Sequence, residues 1–383
     1  MNLSTWYAAH FESRLRGRYL SLKHIDPLLK SFSNRLKISY PGNSELGKKI
    51  PLITLGHGSK IVLAWSQMHG NESTTTKALF DLFRFLDQKN DFQEEIEHFL
   101  QEYTLYAFPI LNPDGAERYT RENANGVDLN RDAVTLSQSE SRLLKQVFDE
   151  VQPNLCLNLH DQRTIYGLPT GLPATISFLA PAADPQRALT PAREVAMQKI
   201  IVLNAFLQNY VSNQIGRYDD TFNVNCVGDA FQQAGVPTIL FEAGHFQNDY
   251  EREITRKYIF LAFSKLFGLQ GASEVVSSTD QYFSIPENRI IYKDVIIRNV
   301  CFNNNNKPRD IGIQFSEILT NEQIDFVPHI DELGDLSNYK GHREIDGQGC
   351  TVLVNSHQNT NVGQKVSIIS NKTGDSVLFI PEI

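Results

Sequence analysis

Cysteine is scarce in this 383-residue chain: four residues, Cys156, Cys226, Cys301 and Cys350, widely spaced and with no C-x-x-C pair. That spacing excludes a zinc knuckle and a disulfide framework. Cys156 and Cys301 fall in apolar, strand-like runs, where buried free thiols are the ordinary outcome. A basic excess is also missing. The net charge of -8 argues against nucleic acid or an anionic membrane as partner, because both reward basic patches. No apolar run approaches the length of a membrane span. Met1 to Tyr7 has neither a basic n-region nor a continuous apolar h-region, so a soluble cytoplasmic protein is the expectation. No internal repeat is present. Hydrophobic residues at 41% and charged residues at 21% describe an ordinary globular protein. At this length one large domain plus a smaller one is expected.

The order of elements points to an α/β fold. Residues 3–32 read as helical, with Leu15, Leu20, Leu22, Ile25, Leu28 and Leu29 as the apolar positions. Strands follow at Arg35 to Tyr40 and Lys49 to Leu55, separated by the turn-like Pro41-Gly42-Asn43-Ser44. Ile61 to Ser66 and Tyr103 to Ile110 are apolar runs of the kind found in sheets buried on both faces. Between them Ser73 to Gln88 is helical, with Leu79, Leu82, Phe83 and Leu86 on one face. Asn112-Pro113-Asp114-Gly115 carries strong turn signals. Further helices are predicted at Ser137 to Glu150, Pro191 to Val211 and Asp249 to Phe267, and strands at Asn154 to Leu159 and Pro237 to Phe241. Alternating strands and helices imply a mixed, largely parallel central sheet with helices on both faces over residues 1–268. After a linker at Leu269 to Asp280 the character changes. Strand candidates at Arg289–Val295, Asp310–Phe315, Cys350–Val354, Lys365–Ile369 and Ser376–Phe379 suggest a small all-β domain over residues 281–383, with Asn303 to Asn306 as a loop.

The chemistry-bearing residues cluster at predicted strand ends, where open α/β sheets bind their ligands. Gln67-Met68-His69-Gly70-Asn71-Glu72 follows a strand, and a turn at Gly70 brings His69 and Glu72 to one side. Such a pair is either a surface turn or half of a divalent metal site. Zinc accepts this N/O set, and three protein ligands leave the fourth position to water in a catalytic site. His160 ends the run Leu155 to Leu159; it is a capping imidazole or the natural third ligand. Glu242 ends the run Val236 to Phe241, and a carboxylate delivered by apolar residues is costly to bury unless paired or used. It reads as a buried ion-pair member or as a general base that passes a proton from water to a leaving amine. Arg121 to Arg131 has no helical or strand period; it is a solvated loop, or its two arginines and an asparagine bind a carboxylate.

Five ordered motifs carry a resemblance. Met68-His69-Gly70-Asn71-Glu72, Asn112-Pro113-Asp114-Gly115, Arg121 through Arg131, Asn158-Leu159-His160 and Phe241-Glu242 occur in the order seen in zinc metallocarboxypeptidases. The wording resembles the carboxypeptidase E/N-like group, over roughly Tyr40 to Phe267. The resemblance implies one zinc ion on His69, Glu72 and His160, with Glu242 as base and proton shuttle. It implies that Arg121 polarises the scissile carbonyl, that Asn130 and Arg131 hold the substrate's terminal carboxylate, and that Asp128 orients His69. The family closes a tyrosine over its substrate, and the corresponding region here offers Tyr218. The 91-residue separation of His69 and His160 is similar instead to the succinylglutamate desuccinylase/aspartoacylase group, which also has the zinc ligands and a C-terminal β domain. The Asn-Pro-Asp-Gly and Asn-Ala-Asn-Gly words favour the peptidase side.

The expected activity is zinc-dependent hydrolysis of an amide bond next to a free carboxylate: a metallocarboxypeptidase acting on short peptides, cell-wall peptides among them. The alternatives are a deacylase of N-acyl amino acids and a non-catalytic zinc-binding protein. The substrate pocket is expected among residues 161–245, with no single charge as its selector.

Overall fold

The computed structural model describes residues 2–271, 278–303, 305–373 and 376–380. Two short helices, α1 (Leu3–His10) and α2 (Leu22–Leu29), open the chain. Strands β1 (Leu36–Asn43), β2 (Lys49–Gly56) and β3 (Lys60–Trp65) lead to α3 (Thr74–Asp87) and α4 (Gln93–Glu102). Next come β4 (Tyr103–Phe108), α5 (Pro113–Arg118), α6 (Ser139–Val151), β5 (Leu155–Asp161), β6 (Tyr166–Gly167) and β7 (Ile176–Leu179). Helix α7 (Pro191–Leu207), β8 (Ile215–Arg217), α8 (Val227–Gln233), β9 (Thr238–Ala243) and α9 (Glu253–Leu266) complete the α/β part.

Eight strands form one mixed sheet in the order β1-β2-β4-β3-β5-β9-β7-β8. Its centre, β4-β3-β5-β9, is parallel, and antiparallel pairs lie on either side. Side chains alternate across a strand, so each parity faces one layer. Val62 and Ala64 of β3, Leu157 and Leu159 of β5, and Ile239 and Phe241 of β9 belong to the larger core, with residues of α3, α7 and α9. Leu63 and Trp65 of β3 and Cys156 of β5 belong to a second core with Leu144 and Val147 of α6 and Phe231 of α8. The sheet is therefore covered on both faces, as its unbroken apolar strands predict. Asn158, His160 and Glu242 share the second parity, so the carboxyl ends of β5 and β9 turn polar on the α6/α8 side.

Several expectations are corrected. The helix predicted over residues 3–32 is broken between His10 and Leu22 because buried side chains claim the backbone of that stretch. Arg256 donates to Glu12 O (2.9 Å) and Leu15 O (2.5 Å), Lys77 to Gly17 O (2.8 Å), Ser73 to Arg18 O (2.5 Å) and Gln67 to Leu20 O (2.9 Å). Pro41 to Asn43 is not the turn: β1 runs on through a bulge between Ser39 and Gly42, and the chain reverses over Ser44 to Gly47, where Gly47 has φ 78°. Asn112-Pro113-Asp114-Gly115 opens a helix instead of a turn. Asn112 caps α5 by accepting from Gly115 N at 2.8 Å, and Pro113 takes the first helical position. Helices α4 and α8 have no counterpart in the expectations, although Ile96, Phe99 and Leu100 give α4 an apolar face.

Beyond the sheet, α10 (Asp280–Phe283) and β10 (Arg289–Ile290) precede β11 (Tyr292–Phe302), β12 (Asn305–Thr320), β13 (Gln323–Gly334) and β14 (Lys340–Asp346), which make a sheet in the order β13-β12-β11-β14. Strands β15 (Val352–Val354), β16 (Ile369–Asn371) and β17 (Val377–Phe379) make another. Val295, Ile297, Ile311, Ile313, Ile330, Val352 and Ile369 form a core of their own. The predicted strand Arg289–Val295 is divided at Ile291, and β10 pairs with β6. The strand predicted over Lys365–Ile369 is irregular up to Ile368. Strands β13 and β14 went unpredicted because their charged residues leave much of each strand exposed. Of the loop expected at Asn303 to Asn306, Asn305 and Asn306 belong to β12; Asn304 lies outside the described residues, as do residues 272–277 of the expected linker. This C-terminal part docks on the segment after β5 through Asn288 Nδ2 to Gln162 Oε1 (3.0 Å) and Tyr292 OH to Gly171 O (2.8 Å), and on the β9–α9 connection through Tyr250 OH to Asp294 Oδ1 (3.0 Å). Among the described residues no helix is long and apolar enough to cross a membrane.

Candidate metal centre

His69 and Glu72 come together because the turn that bears them closes on itself: Glu72 N donates to His69 O at 3.1 Å. Gly70 is required by close approach, since a Cβ there would lie 2.0 Å from the backbone carbon of Gly115. Asn112 Nδ2 donates to Met68 O at 3.1 Å, so the Asn-Pro-Asp-Gly motif forms the seat of the His-Gly-Asn-Glu turn. His160 arrives from β5. Its Nδ1 lies 2.8 Å from Glu72 Oε2 and 3.1 Å from His69 Nδ1, and His69 Nδ1 lies 2.9 Å from Glu72 Oε1. All three residues could place a ligand atom within 4.8 Å of the others, and among the described residues they are the one such group. Burial alone would raise the Glu72 carboxyl, but His69 and His160 hold it well below the usual carboxylate range.

The donor set fits a divalent cation. Two imidazole nitrogens face each other across a carboxylate, a concentration of lone pairs short of protons. His69 Nε2 is engaged by Asp128 Oδ1 at 2.9 Å, which fixes the ring and leaves Nδ1 to the cluster. Asp128 also accepts from Arg121 Nε (3.1 Å) and Nη2 (2.9 Å) and from Asn130 N (2.9 Å). Burial pulls its carboxyl upward, yet His69 and Arg121 win and hold it low. Arg121 Nη1 reaches to 3.2 Å from His69 Nδ1 and 3.5 Å from Glu72 Oε1. The loop from Arg121 to Arg131 is thus ordered: Asn123 Oδ1 accepts from Asn125 N (3.0 Å) and Val127 N (3.1 Å) around Gly126, whose φ is 72°.

Glu242 pairs in register with His160 across β5 and β9. Its Oε2 is buried with no hydrogen-bond partner among the described residues. Burial, then the neighbouring carboxylates of Glu72 and Asp161, push its carboxyl well above the usual range. Glu242, the metal trio, Arg121, Asn130, Arg131 and Tyr218 all line one cavity of about 490 Å³.

Residues 22–171 match the zinc carboxypeptidase family. That stretch holds His69, Glu72, Arg121, Asp128, Asn130, Arg131 and His160, and ends before Tyr218 and Glu242. Over 128 residues the chain is 27% identical to a probable carboxypeptidase 2 of Arthroderma benhamiae, covering 31% of this chain and 24% of the relative. It is 27% identical over 128 residues to carboxypeptidase 2 of Trichophyton rubrum, covering 31% and 23%. The chain therefore spans about a quarter of the length of these curated relatives. A metallo-carboxypeptidase from Burkholderia cenocepacia superposes with a TM-score of 0.51 at 16% identity, covering 65% of this chain and 69% of that one. The α/β part has the zinc carboxypeptidase fold.

Against the pattern of that family the remaining candidates are placed as follows. Asn130 uses its Oδ1 to accept from Val227 N at 3.0 Å, at the start of α8, which leaves its Nδ2 without a protein acceptor among the described residues. Arg131 is exposed, with Nη1 donating to Asn130 O at 2.8 Å. Tyr218 packs edge-on against Tyr166 at 5.4 Å, and burial, together with Glu242, pushes its hydroxyl upward. Sequence reasoning missed Tyr166, Arg163, Asn158 and Asp229, which also line the cavity. Burial pushes the Asp229 carboxyl up to about 6. The expected range of residues 161–245 covers three of them but not Asn158. A period-2 reading of β5 could have found Asn158, which lies on the same face as His160. Asp229 sits on α8, a helix too short to announce itself by periodicity.

Proposed function

We propose that this protein is a zinc-dependent metallocarboxypeptidase that hydrolyses the amide bond next to a free terminal carboxylate in short peptides. What carries the reading is Glu242, whose buried Oε2 has no hydrogen-bond partner among the described residues, in the same cavity as the His69-Glu72-His160 cluster and Arg131. A zinc ion held by those three residues would polarise the scissile carbonyl and the attacking water. Glu242 accepts the water's proton and returns it to the leaving amine, a task for which a raised carboxyl is suited. Arg121 faces the developing oxyanion and Asp128 keeps the His69 ring in place. Asn130 Nδ2 and the Arg131 guanidinium take the substrate's carboxylate, a planar group that a guanidinium binds through two parallel hydrogen bonds. Tyr218, backed by Tyr166, walls the substrate from solvent. We further propose residues 1–268 as the catalytic domain and residues 281–383 as a separate β domain.

Steady-state assays on peptides with free and amidated C-termini, run beside N-acyl amino acids, check this activity. Hydrolysis of the free-carboxylate peptides and little turnover of the amidated ones is expected. Turnover confined to N-acyl amino acids would replace the peptidase reading by deacylation. Arg131→Ala is expected to raise KM about tenfold or more on free-carboxylate peptides, given that charge-assisted hydrogen bonds contribute roughly 1.5–3 kcal/mol. An unchanged KM in the same assay removes the carboxylate clamp from Arg131.

A further inference from the structure

The β12–β13 hairpin extends from the C-terminal sheet back to the α/β part. At its far end Glu322 pairs with Lys23 near the start of α2. Glu317, further down β12, makes two contacts of a different kind. Its Oε1 lies 3.0 Å from Arg18 Nη1, and its Oε2 accepts the hydroxyl of Tyr119.

Both contacts lead to the metal centre. The side chain of Arg18 is only 5% exposed, and its two carboxylate partners are Glu317 and, at 3.9 Å, Asp161. Asp161 follows the candidate ligand His160 in the chain. Its backbone N–H donates to Glu72 Oε2 at 3.1 Å, while its Oδ2 accepts from Thr74 N (3.1 Å) and Thr74 Oγ1 (2.6 Å). A second buried guanidinium, Arg252, donates to Gln162 O at 3.0 Å and Ala243 O at 3.1 Å, binding the ends of β5 and β9 together. Buried cations need counter-charges close by. Without Glu317, Asp161 would be the one carboxylate among the described residues still within 4.0 Å of the Arg18 guanidinium, and any movement toward it would drag the N–H that fixes Glu72. The other contact runs through Tyr119, which is buried in the left-handed region (φ 57°) at the end of α5, two residues before Arg121.

We propose that Glu317 is a positioning residue for the metal centre, acting through Arg18 and Asp161 on Glu72 and through Tyr119 on Arg121. This rests on the zinc hydrolase reading of the site. The C-terminal sheet thereby contributes to the chemistry without lining the cavity.

The test measures zinc affinity by chelator competition, without substrate, and kcat and KM separately, on the full chain. Glu317→Ala is expected to weaken zinc binding and to lower kcat, each about tenfold, at the lower end of what outer partners of metal ligands contribute. KM should stay within about twofold, since the carboxylate clamp is untouched. Glu317→Gln, which keeps an acceptor for Tyr119, should recover part of kcat and little of the zinc affinity. Glu322→Ala, which breaks only the hairpin's outer ion pair, should match the wild type in all three quantities. Zinc affinity and kcat in Glu317→Ala equal to those of Glu322→Ala would overturn the proposal. Should Glu317→Ala not fold, Tyr119→Phe removes only the hydroxyl. It is expected to lower kcat several-fold at unchanged zinc affinity, and an unchanged kcat would overturn the coupling to Arg121. Because the zinc measurement needs no substrate, failure to hydrolyse any peptide would sink the proposed activity while leaving this coupling under test.

Discussion

Glu242→Gln is expected to lower kcat by about 10²–10⁴-fold, the range ascribed to a positioned general base, while zinc content stays at the wild-type level. The two halves of this outcome follow from different observations. The proposed metal-binding atoms are those of His69, Glu72 and His160, so an amide at position 242 removes none of them. The base is lost because Gln has the shape of Glu without a carboxylate to take a proton. Stability gives a further readout. The native carboxylate is buried beside Glu72 and Asp161, which already disfavour its charge. A neutral amide relieves that repulsion, so thermal unfolding should come no earlier than in the wild type. Turnover within a few-fold of wild type would remove Glu242 from the mechanism, and loss of zinc would mean that it belongs to the metal set.

Asp81→Ala is expected to destabilise the fold by about 3–5 kcal/mol, as loss of one partner of a buried ion pair does. Asp81 on α3 and Arg256 on α9 have fully buried side chains, joined by two bonds of 2.7 Å. Asp81 Oδ1 also accepts from Glu12 N at 2.7 Å, so the alanine variant leaves the Arg256 guanidinium with only Glu253, at 3.1 Å, as carboxylate partner among the described residues and strands a backbone donor. The loss appears as a lower denaturant midpoint in equilibrium unfolding. Replacing Asp81 by Leu and Arg256 by Met together should recover a good part of it, because no buried charge is then left alone. A change below about 1 kcal/mol for the single alanine would show that water or another partner satisfies Arg256.

What was legible in the sequence was whatever local pattern determines. Apolar strands β3, β5 and β9 and helices α3, α6, α7 and α9 announce themselves by periodicity. Their order places His69, His160 and Glu242 at neighbouring carboxyl ends. The ordered motifs supplied the residues around them. What stayed hidden depends on distant partners. Residues 11–21 have helix-forming side chains, but Lys77, Ser73 and Arg256 hold their carbonyls. Strands β13 and β14 are defined by pairing with β12 and β11, which an exposed, charged strand does not advertise. The contact of Glu317 with Tyr119 joins residues 198 apart, and no single window of sequence contains it.

Arg256 reaches Glu12 O across 244 residues and Asp81 across 175. During synthesis the N-terminal segment therefore emerges long before the residue that anchors it. Such non-local closure slows folding, because loop entropy must be overcome before the contact forms. Glu242 and Arg256 both belong to the last strand–helix unit of the α/β part. The proposed base thus arrives with the clamp that locks the amino-terminal segment, and a chain stalled before β9 has the candidate metal ligands without either. Until β9 pairs with it, β5 is an uncovered strand edge, the kind of surface through which incomplete chains associate.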